Sequence, residues 1–209
     1  MKKVLVAAII GLAAIASVKA QSFVTLYNYG TPSAGSIRYG TGSGGTVGQG
    51  VVAASGFTVG LYWASGNVVS AVDAFTGGAS TQGGQNIGSL VGSGLSIATG
   101  AGATVALGPD GAGIYDSTQS AILNPSGGAG TYTLVLVAYN GASYETSSIR
   151  GHSGAFTMNA YAPPTTADEN IHTGLFAPAG GFAVAAPEPS TFALAGLGLA
   201  SLLIFRRRK

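Results

Sequence analysis

The chain has 209 residues, a formal net charge of +2 and no cysteine, so no disulfide holds it together. Seven of the nine basic residues stand near the two ends. Between residues 21 and 186 only Arg38 and Arg150 face six carboxylates, a net charge of −4, and phosphate binding needs clustered Lys and Arg, so no nucleic acid partner is expected.

Residues 1–20 read as a secretory signal peptide. Lys2 and Lys3 precede an apolar run, Val4 to Ala16, of 13 residues, short of the roughly 20 that span a bilayer. Val18-Lys19-Ala20 places small residues where signal peptidase reads them, so cleavage is expected between Ala20 and Gln21.

Residues 21–186 are long enough for one domain with its own core. They hold 32 of the 35 glycines, with Val, Thr, Tyr and Ala in place of a Leu-Glu-Lys pattern; this composition disfavours helices. The chain's nine Tyr and eight Phe argue against a solvated linker. Strands are predicted at 23–29, at 37–39 and, beyond a glycine loop from Gly40 to Gly50, at 57–63, where Phe57, Val59, Leu61 and Trp63 share one core-facing side. Val68–Val72 reads as a further short strand, with weaker ones at 87–91 and 95–98. Thr104–Leu107 precedes the turn Gly108-Pro109-Asp110-Gly111.

Thr131–Tyr139 (TYTLVLVAY) is the strongest strand; Leu134–Val137 is apolar on both faces, as a strand covered on both sides must be. Asn140-Gly141 signals a two-residue hairpin turn. Ser148–Ser153 reads as irregular or edge, Ala155–Met158 as a late strand, Ala162–Thr166 as a loop, and 175–176 with 181–184 as the last edge. About eight short strands without an amphipathic helix predict an all-β, antiparallel sandwich or jelly roll.

Pro187-Glu188-Pro189 is followed by a hydrophobic helix expected over 191–205 and a basic tail, Arg206-Arg207-Arg208-Lys209. From Ser190 to Phe205 there are 16 residues, roughly 24 Å at 1.5 Å each, below the ~30 Å hydrocarbon thickness. The cations should stay cytoplasmic with the domain outside. Prolines at 187 and 189 keep the segment before the helix extended and open to a protease.

Motif, apolar segment and arginine cluster together resemble a PEP-CTERM sorting signal of Gram-negative bacteria over residues 187–209. The resemblance implies recognition by an exosortase, a membrane cysteine transpeptidase-like enzyme. It implies a membrane hold through 191–205 before processing, and delivery to the surface of bacteria that make exopolysaccharide. Stretches such as Gly56–Tyr62, Tyr132–Tyr139, Gly141–Glu145 and Gly151–Thr157 are similar to strands of exported PEP-CTERM proteins without assigned activity, which supply no catalytic residues to carry over.

Gly151-His152-Ser153-Gly154-Ala155 nearly spells a nucleophile elbow, but Ala155 replaces the last glycine and no helix is expected after it. Asp110 and Asp116 in a glycine loop are the metal-ligand candidates, without the alternating oxygens of a calcium loop. His152 and His172 have no partners at zinc spacing. Asp168-Glu169 on a loop and the isolated Glu145 do not form the carboxylate pair of a glycosidase. Tyr62, Trp63, Tyr29 and Tyr39 offer aromatic faces for sugar, although core packing explains Trp63 better. The expectation is a non-enzymatic exported protein without cofactor; a carbohydrate-binding or adhesive module and a secreted glycan hydrolase are the alternatives.

Overall fold

The computed structural model describes residues 22–28, 36–79, 89–109, 111–124, 127–160, 169–171 and 181–186. The expected signal peptide, the apolar helix at 191–205 and the basic tail lie outside them, as does the strand expected at 175–176. Within them the chain is mostly β-strand, with one α-helix. Among the described residues no helix is long and apolar enough to cross a membrane.

Two long strands form the centre. β3 (Thr58–Ser65) and β7 (Gly130–Tyr139) run antiparallel in register from Thr58↔Tyr139 to Ser65↔Tyr132. Each carries two short strands on its outer edge. β3 pairs with β4 (Ser96–Ile97) and β5 (Thr104–Ala106). β7 pairs with β8 (Arg150–His152) along one half and β9 (Phe156–Ala160) along the other. A second sheet places β1 (Phe23–Tyr27) between β6 (Asp116–Ile122), antiparallel, and β10 (Glu169–Ile171), parallel. A third pairs β2 (Arg38–Tyr39) in parallel with β11 (Ala183–Val184). Among the described residues no sheet closes on itself, and two of the pairings are parallel where antiparallel ones were expected.

β7 shows why its sequence reads apolar on both faces: every residue from Tyr132 to Tyr139 is buried. Tyr132, Leu134, Leu136 and Ala138 enter a large core with Val59 and Leu61 of β3, Val24 and Leu26 of β1, Ala121 of β6 and Val184 of β11. Phe57 joins this core and Trp63 packs against it, as the period of two predicted. The intervening side chains Val135, Val137 and Tyr139 meet a smaller cluster on the other face, with Tyr62, Val72, Leu90 and Tyr144.

Several expectations are corrected. Residues 68–72 open the helix α1 (Val69–Thr76), not a strand: Val72 and Thr76, four apart, bury one face, and Gly77 ends the helix at φ 78°. Of the strand expected at 87–91, the described residues 89–91 are coil and turn. Asn140-Gly141 is not a two-residue turn. The chain returns to β7 only at Arg150, and Asn140 closes that longer loop through its backbone N–H and side-chain oxygen, both bonded to Ile149 at 3.1 Å. β6 and β10 were not foreseen, and β10 places Glu169 on a strand rather than on a loop.

Leu136 is fully buried in the larger core. Leu136→Ala should lower unfolding free energy by about 2–5 kcal/mol, read from denaturant titration of the exported protein; a loss below about 1 kcal/mol would show that this core is not tightly packed.

Candidate functional site at the exit of the chain

The last described residues form an interior seam. β11 lies beside β2, with Ala183↔Arg38 and Val184↔Tyr39 in register, while Ala185 on its other side bridges Arg150 of β8. Five backbone hydrogen bonds hold the segment: Arg38 N–H to Phe182 O (3.0 Å), Gly40 N–H to Val184 O (2.7 Å), the reciprocal Arg150–Ala185 pair (3.1 and 2.9 Å), and Ala186 N–H to Thr41 O (3.1 Å). Each is worth about 1 kcal/mol net. Phe182, Ala183, Val184 and Ala185 are all buried, which adds the larger hydrophobic contribution.

Glycine makes the close approach possible at two positions. A Cβ on Gly40 would lie 3.0 Å from the Val184 carbonyl oxygen and 3.3 Å from two alanine side chains. One on Gly42 would lie 3.0 Å from the Ala186 methyl, at a φ of +69° that side-chain-bearing residues avoid. The glycine loop after β2 is thus the wall against which the chain end lies. Arg38 and Arg150, the two cations between residues 21 and 186, stand in register on opposite flanks of this end.

The other end of the body is held as firmly. Ser22, two residues beyond Ala20, is fully buried. Its hydroxyl donates to Gly128 O (2.5 Å) and lies 2.7 Å from the Tyr132 hydroxyl, while its carbonyl accepts from Leu123 N–H (2.9 Å).

Next to the seam, Gly151-His152-Ser153-Gly154-Ala155 is the place where the ladder on β7 passes from β8 to β9. Ser153 Oγ accepts from Leu136 N–H (3.0 Å) and donates to Gly154 O (2.8 Å). Ala155 N–H donates to the Asp73 carboxylate at 2.8 Å. His152 Nδ1 donates to the Ser153 carbonyl at 2.8 Å, so its bond goes to the serine backbone and not to the hydroxyl. The motif is a strand interruption whose backbone groups side chains satisfy.

The neighbouring charges have similar tasks. Arg150 Nη1 donates to Tyr144 O (3.0 Å) and Glu145 O (2.5 Å), with the guanidinium 5.1 Å from the Tyr144 ring centre. Glu145 Oε1 accepts from Leu90 and Val91 N–H at 2.8 and 3.0 Å. On this face a shallow recess of about 210 Å³ is lined by Gly60, Tyr62, Val137, Tyr139 and Tyr144, with exposed Ile97 among them. Burial, and next the Glu145 charge, push the Tyr62 hydroxyl up to about 12.

Asp116 opens β6 opposite Tyr27, and Asp110 lies outside the described residues, so no joint site is seen for the two metal candidates. No group of three His, Asp or Glu that could hold a metal occurs among the described residues. The aromatic platform is corrected: Tyr39 is buried edge-on to Phe57, Trp63 packs edge-on to Tyr132, and Tyr62 belongs to the opposite face. Tyr29, Asp168, His172 and the sorting residues Pro187–Pro189 and Arg206–Arg208 lie outside the described residues.

Burial lowers His152 below its ordinary 6.5, outweighing the Ser153 bond and Asp73, which act in the raising direction. The folded state therefore holds His152 neutral, and below pH 6.5 the unfolded chain binds the extra proton. Stability from this group is complete above pH 6.5 and is lost as pH falls below it. Denaturation midpoints measured from pH 7.5 down to 5 should drop in the native protein and drop less in His152→Gln; equal slopes would remove His152 as the cause.

Residues 185–209 match the family model of the PEP-CTERM protein-sorting motif, the C-terminal sorting signal of exosortase substrates. The match begins at Ala185, inside the seam just described. It implies an exported protein that an exosortase processes. No curated protein and no solved structure matches the chain.

Proposed function

We propose that this chain is a non-catalytic β-domain, exported behind a signal peptide and delivered by exosortase to the cell surface, where it serves in the exopolysaccharide matrix. The observation that carries this reading is how closely the packed body fits between the two targeting segments. Burial is complete at Ser22, two residues after the expected signal peptidase site at Ala20, and persists to Ala185, two residues before Pro187. The body is one cargo unit, and a sandwich-like reading of it rests on the core that the first two sheets share. A structural role is supported by the chemistry of its polar groups. Ser153, Asp73, Glu145 and Arg150 all satisfy backbone atoms, and a group so engaged is a poor nucleophile or general acid.

A glycan-binding module is the second reading. Its support is the recess bordered by Tyr62, Tyr139 and Tyr144, with exposed Ile97 at its rim, a concave and largely apolar surface of the kind small ligands occupy.

Two measurements test these readings. Deleting Arg206–Lys209, or replacing Pro187 and Pro189 by alanine, should leave the protein unprocessed in a host that carries the exosortase; normal surface delivery of both variants would sink the sorting role. Purified processed protein titrated with the host's own exopolysaccharide should bind in the second reading and lose at least tenfold in affinity in Tyr139→Ala.

A further inference from the structure

We propose that the folded domain is part of the sorting substrate: β11, docked between β2 and β8 as far as Ala186, is a latch that restrains cleavage. The inference rests on the exosortase reading, which already implies a cut near Pro187-Glu188-Pro189, and adds to it what controls the rate of that cut.

An enzyme that cuts a peptide bond binds its substrate as an extended strand on either side of that bond, using main-chain groups. Here five main-chain groups of residues 182–186 are already taken. Phe182 O and Val184 O accept from β2 and from Gly40, Ala185 exchanges both its bonds with Arg150, and Ala186 N–H is given to Thr41. Reaching upstream of Pro187 thus requires β11 to leave the sheet and Phe182 and Val184 to leave the core. Cleavage of a segment held in this way tracks the population of the opened form.

The downstream limit comes from the chain itself. Five residues, Pro187 to Thr191, separate Ala186 from Phe192, where the apolar run begins. Fully extended they reach at most about 18 Å, so the body stands against the bilayer while the apolar segment is in it. The scissile bond falls in this short interval. At the cut, the carbonyl carbon passes from the backbone nitrogen to the enzyme's nucleophile and then to water or an acceptor amine. The nitrogen takes up a proton and leaves as the new N-terminus of the apolar segment.

The latch has a late place in folding. β11 pairs with β2, about 145 residues earlier in the chain, and with Arg150. It can dock only when the domain before it has crossed the membrane and formed those strands. Processing of an undocked chain is fast, and completion of the fold slows it.

The test uses the full chain in a host carrying the exosortase, with pulse-labelling to follow loss of the tail. A ten-residue Gly-Ser insert between Ala186 and Pro187 leaves β11 in place and sets the motif ten residues further from it along the chain; it should raise the initial processing rate at least fivefold. Gly42→Val, which pushes on Ala186 without lengthening the chain, should raise it as well, with trypsin resistance reporting that the rest of the body is folded. Mass spectrometry of the processed native protein should find its C-terminus within Pro187–Thr191. An unchanged or slower rate in the insert variant, or a native C-terminus upstream of Ala186, overturns the latch. A faster insert variant beside a folded Gly42→Val of native rate also overturns it, in favour of simple crowding at the bilayer. A native chain that keeps its tail beside active exosortase overturns the sorting reading, and the latch with it.

Discussion

The eight-pair ladder between β3 and β7 is the constraint on which the rest of the structure depends. Because both faces of β7 are buried, its side chains supply two cores at once, and each needs a separate cover. On one face β1, β6 and β11 provide it; on the other, α1 and the loops carrying Leu90 and Tyr144 do. The outer edges of the two long strands are completed by pairs of short strands rather than by single long ones. Each change of partner interrupts the ladder and frees backbone groups that must find bonds elsewhere.

That need accounts for how the few polar side chains of the body are used. A chain this rich in glycine makes many loops and supplies few side chains to bond their peptide groups. Ser153 and Asp73 repair the passage from β8 to β9. Glu145 takes two N–H groups of the loop at Leu90, and Arg150 takes two carbonyls of the loop at Tyr144. Asn28 does the same for the chain before β6, bonding Gly113 O at 3.1 Å and Tyr115 N–H at 2.6 Å. In each case a side chain that could suggest chemistry completes a hydrogen-bond network whose unmade members would cost about 1–3 kcal/mol each.

What was legible in the sequence, and what was not, follows from the range of the interactions concerned. The central strands were legible because their apolar pattern is local and strong. β6, with the sequence DSTQSAI, was not, since its pairing with β1 across about a hundred residues carries it rather than propensity. Val69–Thr76 offers only eight residues, too few to separate a helical period from a strand, and the helix is settled by Val72 reaching the second core. Asn140-Gly141 has the composition of a tight turn, yet Gly141 packs where a Cβ would lie 2.6 Å from the Ser147 hydroxyl, within a longer loop.

The sequence by itself determined the route of this protein and the class of its body. The sorting signal Pro187–Lys209 is recognisable from its linear sequence, and strand-forming composition needs no partner to be recognised. Only the tertiary structure decided that the chain leaves the body from an interior strand, with β2 on one side and Arg150 on the other. The two-residue strands β2 and β11 lie in stretches that read as strand, 37–39 and 181–184, but nothing local gave their pairing: a parallel partner distant in sequence and a shared core bring them together. The physical reason is the same for the Gly151–Ala155 motif: its residues were visible, but their partners, Leu136 and Asp73, are neighbours only in space.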